Sequence, residues 1–216
     1  MLSVLIVELD PLVLGGFALP AEVLAERLEK YGVTNGGPFQ YVKTIYGKPF
    51  GPALRALLPA AINVAHVERR LAATYAALLQ QQAQEAMPTI RAMLRPLMRA
   101  GIRIAVITRL RPDIVTELCA GIRGEIIPVF DPLPLAAGVA PETIQSALVA
   151  LGAPTRDCLG LLACGVSVRA AVQVGLRAIV VPDPMVAFEN CAGADFTAER
   201  LDKRLLSNLK TRFFAH

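Results

Sequence analysis

Two carboxylates, Glu8 and Asp10, lie one residue apart after the apolar run at residues 4–7. A short apolar run of this kind predicts a buried strand, so both acids are expected at its carboxyl end. Paired carboxylates in such a place can bind a metal ion, attack an electrophile or transfer protons. Pro11 and Leu12 follow, where this chemistry usually needs small or hydroxyl-bearing residues. The stretch therefore indicates either an active site or the remains of one.

The elements that would position these acids can be predicted from the rest of the chain. Five apolar runs have the pattern of strands covered on both faces. Helical segments accompany the last four runs; most begin near a proline and all end at a glycine. Strands that alternate with helices predict an α/β fold with a parallel sheet. The predicted strands cover residues 4–7, 103–107, 126–129, 159–162 and 178–181, and these helices cover 88–100, 112–120, 141–151 and 167–174.

Residues 17–87 break this alternation, because almost the whole segment is predicted to be helical, apart from a loop at 34–39. We interpret it as an all-helical cap domain inserted after the first strand. The cap would lie above the carboxyl ends of the strands, where such folds bind ligands. The α/β core then comprises residues 1–16 and 88–216. Candidate cap helices cover residues 21–31, 51–58 and 65–79.

Composition narrows the classes of function. Apolar residues make up 54% and charged residues 19% of the chain, which suits a well-buried globular core. No apolar run reaches the roughly 20 residues that cross a bilayer, and no basic signal-peptide start is present, so we expect a cytoplasmic protein without membrane contact. The net charge of +4 is scattered and Trp is absent, which argues against nucleic-acid binding. Four widely spaced cysteines are expected to be small buried hydrophobes, and two distant histidines argue against a zinc site.

The order of elements, together with the closing segment "AGADFTAERL" at residues 192–201, resembles the haloacid-dehalogenase superfamily over essentially the whole chain. The resemblance implies a Rossmann-like core with a helical cap and four phosphoryl-transfer motifs. The first motif, Asp-x-Asp-Gly-Thr, supplies a nucleophile and a general acid and base. Here "ELDPL" puts Glu8 at the nucleophile position and Asp10 at the acid/base position. The extra methylene of Glu displaces the carboxylate by about an ångström, which can cost about 100-fold in rate.

The second motif keeps its hydroxyl. Thr108, in "RIAVITR", matches the Thr or Ser that holds the phosphoryl oxygens in the family. Arg109 follows and would add a positive charge to a bound anion, and the alternative is an ordinary surface arginine.

The third and fourth motifs are altered. Gly138 stands where the family has a lysine, and Ala163 and Ser167 replace the two acids that bind magnesium. Asp157 is expected at the wrong end of its strand to replace them, and Asp183, between two prolines, is interpreted as a turn residue. Glu8 and Asp10 alone would make a poor magnesium site.

These changes predict a haloacid-dehalogenase-like pseudoenzyme with no cofactor and no phosphatase activity. It would bind a small anionic ligand or a protein partner in the cleft between cap and core, and an apolar, filled cleft would favour the protein partner. The alternative is an active hydrolase, a phosphatase or a dehalogenase, that uses Glu8, Asp10 and Thr108, with magnesium for the phosphatase. A third possibility is an oligomeric scaffold, such as a homodimer, formed through the apolar cap helices.

Overall fold

One parallel sheet organises the molecule, and the predicted α/β fold is confirmed. Its strand order is β3-β2-β1-β4-β5-β6, so β1 lies in the middle between β2 and β4. Five strands agree with the predicted ones to within one residue at each end, while the short β6 was not predicted. The strands are β1 (Val4–Glu8), β2 (Arg103–Thr108), β3 (Ile126–Phe130), β4 (Cys158–Leu162), β5 (Arg177–Val180) and β6 (Phe196–Thr197).

The structure is a computed structural model that describes residues 2–14, 16–34, 36–120, 126–130 and 138–214. Helices α1 to α5 lie between β1 and β2, and the later helices alternate with the remaining strands. The helices are α1 (Leu9–Val13), α2 (Ala18–Glu29), α3 (Pro38–Ile45), α4 (Phe50–Leu57), α5 (Val64–Arg99), α6 (Pro112–Cys119), α7 (Pro141–Leu151), α8 (Gly165–Gln173) and α9 (Lys203–Asn208).

Strand β1 is buried along its whole length because both faces of the sheet are covered. Leu5 and Val7 belong to one hydrophobic cluster, which also includes the inner faces of α2 to α5. Val4 and Ile6 point to the opposite cluster, which lies under α7 and α8. This two-sided burial explains why the strand is continuously apolar.

The predicted break in the helix before Pro88 is wrong, because α5 runs unbroken over 36 residues. Pro88 and Pro96 both lie inside it on the exposed face, as do Gln84 and Ala92, the residues four positions earlier. Each proline removes one backbone donor, and the carbonyl that loses its partner can be hydrated on that face. The proposed boundary between residues 87 and 88 therefore falls within a single helix.

Two further predictions need correction. Helix α3 was not predicted, although Gly37 precedes it and Pro38 occupies its first turn, a common start signal. Of the four cysteines expected to be buried, Cys158 and Cys164 are buried, but Cys119 and Cys191 are partly exposed. No helix in the described ranges is both long and apolar enough to span a bilayer.

Candidate functional site

The candidate site lies where the carboxyl ends of three neighbouring strands meet. Glu8 ends β1 and pairs in register with Ile107 of β2, one residue before Thr108. On its other side β1 pairs with β4, which ends one residue before Ala163. The structure thus brings together Glu8, Asp10, Thr108 and Arg109, as well as the segment that follows β4.

Asp10 is held by donors from the end of β2. Helix α1 begins directly after Glu8, so Asp10 lies in its first turn, and its side chain is 2% exposed. Its Oδ1 accepts a hydrogen bond from Thr108 Oγ1 at 2.5 Å, and its Oδ2 accepts one from the backbone N–H of Arg109 at 2.7 Å. The guanidinium of Arg109 adds an ion pair, with Nη1 3.8 Å from Oδ2. A side-chain hydroxyl, a backbone N–H and one cation therefore fix this carboxylate.

The hydroxyl of Thr108 both donates and accepts a hydrogen bond. It donates to Asp10 and accepts the backbone N–H of Leu110 at 3.1 Å, and the residue is 1% exposed. The side chain of Arg109 is 15% exposed, so it is not an ordinary surface arginine. These two residues lie where the second motif predicts them, but the carboxylate that they contact belongs to the protein itself.

Glu8 turns toward the other neighbouring strand. Its Oε2 accepts the backbone N–H of Ala163, just after β4, at 2.9 Å, and the side chain is 1% exposed. Asp10 is instead bound at the β2 side. The two carboxylates are thus held by donors on opposite sides of β1.

The segments that match the third and fourth motifs are in contact. Ser167, fully buried near the start of α8, accepts the backbone N–H of Val139 at 2.9 Å, and its Oγ lies 3.2 Å from Cys164 Sγ. A Cβ on Gly138 would lie 2.6 Å from Ser167 Oγ and 2.7 Å from Cys164 Sγ. Any side chain at residue 138 would therefore force these groups apart. Burial raises the pKa of the Cys164 thiol to about 12, which keeps it protonated.

The two remaining acids lie apart from this cluster. Asp157 precedes β4, at the end of the strand opposite Ala163, as predicted. Asp183 follows β5, and its Oδ1 accepts the N–H of Met185 at 2.8 Å, so it is the turn residue that was predicted. Its Oδ2 also accepts the N–H of Phe17 at 3.0 Å, a contact that the sequence did not indicate.

The contact between Asp183 and Phe17 explains why residue 16 is a glycine. Gly16 has a φ of +59°, and a Cβ there would lie 1.8 Å from Asp183 Oδ2. Glycine therefore permits both the left-handed backbone and the close approach. Burial raises the pKa of Asp183, and the hydrogen bonds from Met185 and Phe17 oppose that rise. Asp183 thus ties the end of β5 to the start of the inserted helices.

Aromatic side chains fill part of the boundary between the inserted helices and the sheet. Tyr46, just after α3, is 5% exposed and meets Phe17 and Phe188 edge-on, with ring centroids 5.7 and 5.8 Å apart. Its hydroxyl accepts the backbone N–H of Val166 at 3.5 Å. Burial, followed by the proximity of Cys164, raises the pKa of Tyr46. This part of the boundary is therefore apolar and filled.

The donor set does not fit magnesium. Mg²⁺ prefers an octahedron of oxygen ligands. Among the described residues, the positions that match the motifs supply only two carboxylates, Glu8 and Asp10. Asp10 accepts its hydrogen bonds at the β2 side of β1, and Glu8 accepts one at the β4 side. Within the same ranges no group of three or more His, Cys, Asp or Glu residues is placed to hold a metal ion.

Comparison with solved structures identifies the fold. CbbY from Rhodobacter sphaeroides, in complex with xylulose-(1,5)-bisphosphate, is 22% identical, with 93% of this chain and 95% of that chain covered and a TM-score of 0.65. A β-phosphoglucomutase from Clostridium difficile is 13% identical, with both chains fully covered and a TM-score of 0.67. A hydrolase from Pseudomonas syringae is 18% identical over 97% of both chains, with a TM-score of 0.67.

No protein-family model matches the sequence, and neither does any curated protein. The structural matches show that the chain has a haloacid-dehalogenase-like fold, which confirms the resemblance. At these identities the matches establish the fold alone, so the function must be argued from the site.

Proposed function

We propose that this protein is a haloacid-dehalogenase-like pseudohydrolase that does not transfer phosphoryl groups and acts by binding a protein partner. The observation that carries the proposal is the position of Asp10. Its carboxylate accepts the hydroxyl of Thr108 and the N–H of Arg109. These are the donors that a phosphoryl oxygen would need, and an internal anion already uses them.

Electrostatics supports the same conclusion. Glu8 and Asp10 are acidic side chains, and Arg109 is the cation that pairs with Asp10. A phosphate dianion brought to this point would meet two carboxylates, and the oxygen ligands there do not suit a magnesium ion that would neutralise the charge. Phosphoryl transfer depends on such neutralisation.

The position of the family's lysine supports it as well. Gly138 leaves no room for a side chain because Ser167 and Cys164 lie against it. The positive charge that the lysine supplies in the family therefore cannot come from residue 138. We infer that the polar cluster now stabilises the junction of β1, β2 and β4.

The filled boundary favours a protein partner over a small anionic ligand. Tyr46 and Phe17 are buried between the inserted helices and the sheet. At the rim of the same aromatic group, Phe39 and Phe188 are 45% and 43% exposed. Exposed apolar rings at the rim suit an interface that excludes water. In this proposal residues 17–87 are the cap that carries part of that surface.

Calorimetry with magnesium and beryllofluoride, a phosphoryl mimic, tests the loss of phosphoryl chemistry without a guessed substrate. We expect no binding to the wild-type protein. The matched variants are Asp10→Ala at the site and Asp113→Ala on the exposed surface of α6. Binding to wild type that Asp10→Ala removes and Asp113→Ala keeps would contradict the proposal and establish the active hydrolase.

A further inference from the structure

A second polar site lies at the edge of the sheet. A cavity of about 400 Å³ opens between β6 and α9. Strand β6 is three strands away from β1, about 14 Å at the usual strand spacing. The cavity is therefore separate from the cluster around Asp10, and its function does not depend on the proposal above.

Three arginines line this cavity: Arg200, Arg204 and Arg212. Arg204 and Asn208 lie four residues apart on one face of α9, and Arg212 lies on the π-helical turn Leu209–Phe213 that continues it. The buried side chain of Leu205 also lines the cavity. The helix thus directs two guanidinium groups and one amide to the same hollow.

The segment around this cavity is basic. Residues 199–212 contain five Lys and Arg against two Asp and Glu, a net charge of +3, whereas the whole chain carries +4. The carboxylate of Asp202 is engaged, because it caps α9 through the N–H of Leu205 at 2.8 Å and accepts Arg200 Nε at 2.9 Å. Within the described residues, no ion pair involves Arg204 or Arg212. Two lining cations are therefore left for an external anion.

We propose that this cavity binds a small molecule with at least two oxyanion groups, phosphate or carboxylate, and an apolar portion. Guanidinium groups match both oxyanions because they donate two parallel hydrogen bonds. Phe196 lines the cavity and is 41% exposed, so its ring can cover the apolar portion. The volume lies in the range of small-molecule sites.

Glu199 also lines the cavity, so a variant there tests whether the cavity prefers anions. Its carboxylate opposes an anion in the hollow, so the variant Glu199→Gln should tighten anion binding. The repulsion between the Glu199 carboxylate and an anion a few ångströms away corresponds to a change in affinity of about threefold to tenfold. Phe196→Ala should weaken only ligands that carry an apolar portion.

The experiment is calorimetric titration of the full chain with pyrophosphate and, in parallel, with citrate. Binding of either anion is expected, and the stronger one identifies phosphate or carboxylate as the recognised group. The double variant Arg204→Ala/Arg212→Ala should weaken that binding at least about tenfold. Its matched control is Lys203→Ala/Lys210→Ala, which removes the same charge from the same segment but from side chains that do not line the cavity.

The control is expected to change affinity less than about threefold, because exposed charges outside the cavity are screened by salt. Two results would overturn the proposal. One is the absence of binding by both anions. The other is an equal loss of affinity in the arginine and lysine double variants, which would show attraction to the overall charge. Circular dichroism of all variants should give the wild-type spectrum, because the substituted positions are exposed.

Discussion

Thr108 Oγ1 lies 2.5 Å from Oδ1 of Asp10, which precedes it by 98 residues, and this contact joins the ends of β1 and β2. The same hydroxyl accepts the N–H of Leu110 at 3.1 Å. A buried hydroxyl with both a donor and an acceptor contact inside the protein is part of a closed network. The network stabilises the carboxyl ends of β1 and β2, where the family resemblance places catalysis.

The first prediction concerns the hydroxyl of Thr108. Thr108→Val keeps the shape but removes the donor to Asp10 Oδ1 and the acceptor of the Leu110 N–H. We expect the free energy of unfolding to fall by about 2–3 kcal/mol, the usual cost of unsatisfied buried polar groups. Thr108→Ser keeps the hydroxyl and should cost about 1 kcal/mol for the lost methyl group.

Urea denaturation at an unchanged m-value measures both effects. The matched control is Thr116→Val on the exposed face of α6, where the loss should stay below about 0.5 kcal/mol. If Thr108→Val cost no more than Thr116→Val, the network would not contribute to stability.

The second prediction concerns Gly138. A Cβ there would lie 2.6 to 2.8 Å from atoms of Ser167 and Cys164, both buried. We expect Gly138→Ala to destabilise the protein by about 1–3 kcal/mol, as overpacking does, and Gly138→Lys to destabilise it further.

Gly51 provides the matched control for Gly138. It lies in α4, and its added Cβ would have only one neighbour, Glu68 Oε2, at 3.8 Å. Gly51→Ala should therefore stabilise by about 0.5–1 kcal/mol, since alanine favours the helix. Thermal unfolding that moved in the same direction for Gly138→Ala and Gly51→Ala would refute the close packing at Gly138.

The third prediction concerns the pH dependence of stability at Asp183. Burial raises the pKa of this carboxyl above its ordinary value of 3.8, so the folded protein binds the proton more tightly than the unfolded chain. Its contribution to stability is therefore largest below 3.8 and is lost as pH rises through the raised pKa. In Asp183→Asn the side chain no longer titrates, so the free energy of unfolding should fall less steeply as pH rises above 3.8.

Asp113 provides a contrast of opposite sign. The hydrogen bond from Arg111 lowers the pKa of Asp113 below 3.8, so its contribution is present above that value and is lost as pH falls. Asp113→Asn should alter the profile only at the acid end. If the slope above pH 4 were the same in Asp183→Asn and wild type, the Asp183 carboxyl would not be the group that titrates.

Much of the sheet could be predicted because its strands are covered on both faces. The unbroken apolar run before Glu8 is typical of a strand that is covered on both faces. The length of helix α5 was harder to predict, because a proline such as Pro88 normally ends a helix. Its tolerance depends on which side of the helix faces solvent, a tertiary property that the local sequence does not contain.

The candidate site was predictable in position but not in geometry. The predicted strands placed Glu8, Asp10 and Thr108 together at the carboxyl ends of β1 and β2. The donor that each carboxylate uses depends on the start of α1 directly after β1, which was not predicted. The contact between Asp183 and Phe17 joins residues 166 positions apart, and a single sequence carries no signal for such a pair.

The unfolding free energy of Asp10→Ala shows whether this carboxylate serves structure or catalysis. If Asp10 is a structural anion held by Thr108 and Arg109, its removal leaves buried donors without an acceptor and should cost about 3 kcal/mol. A catalytic carboxylate behaves differently, because active sites trade stability for function. Replacing such a carboxylate often leaves the free energy of unfolding unchanged or raises it. We expect a loss of about 3 kcal/mol in Asp10→Ala and a much smaller loss in Asp113→Ala, whose carboxylate is exposed. Stability of Asp10→Ala equal to or above that of wild type would contradict this expectation and point to a working active site.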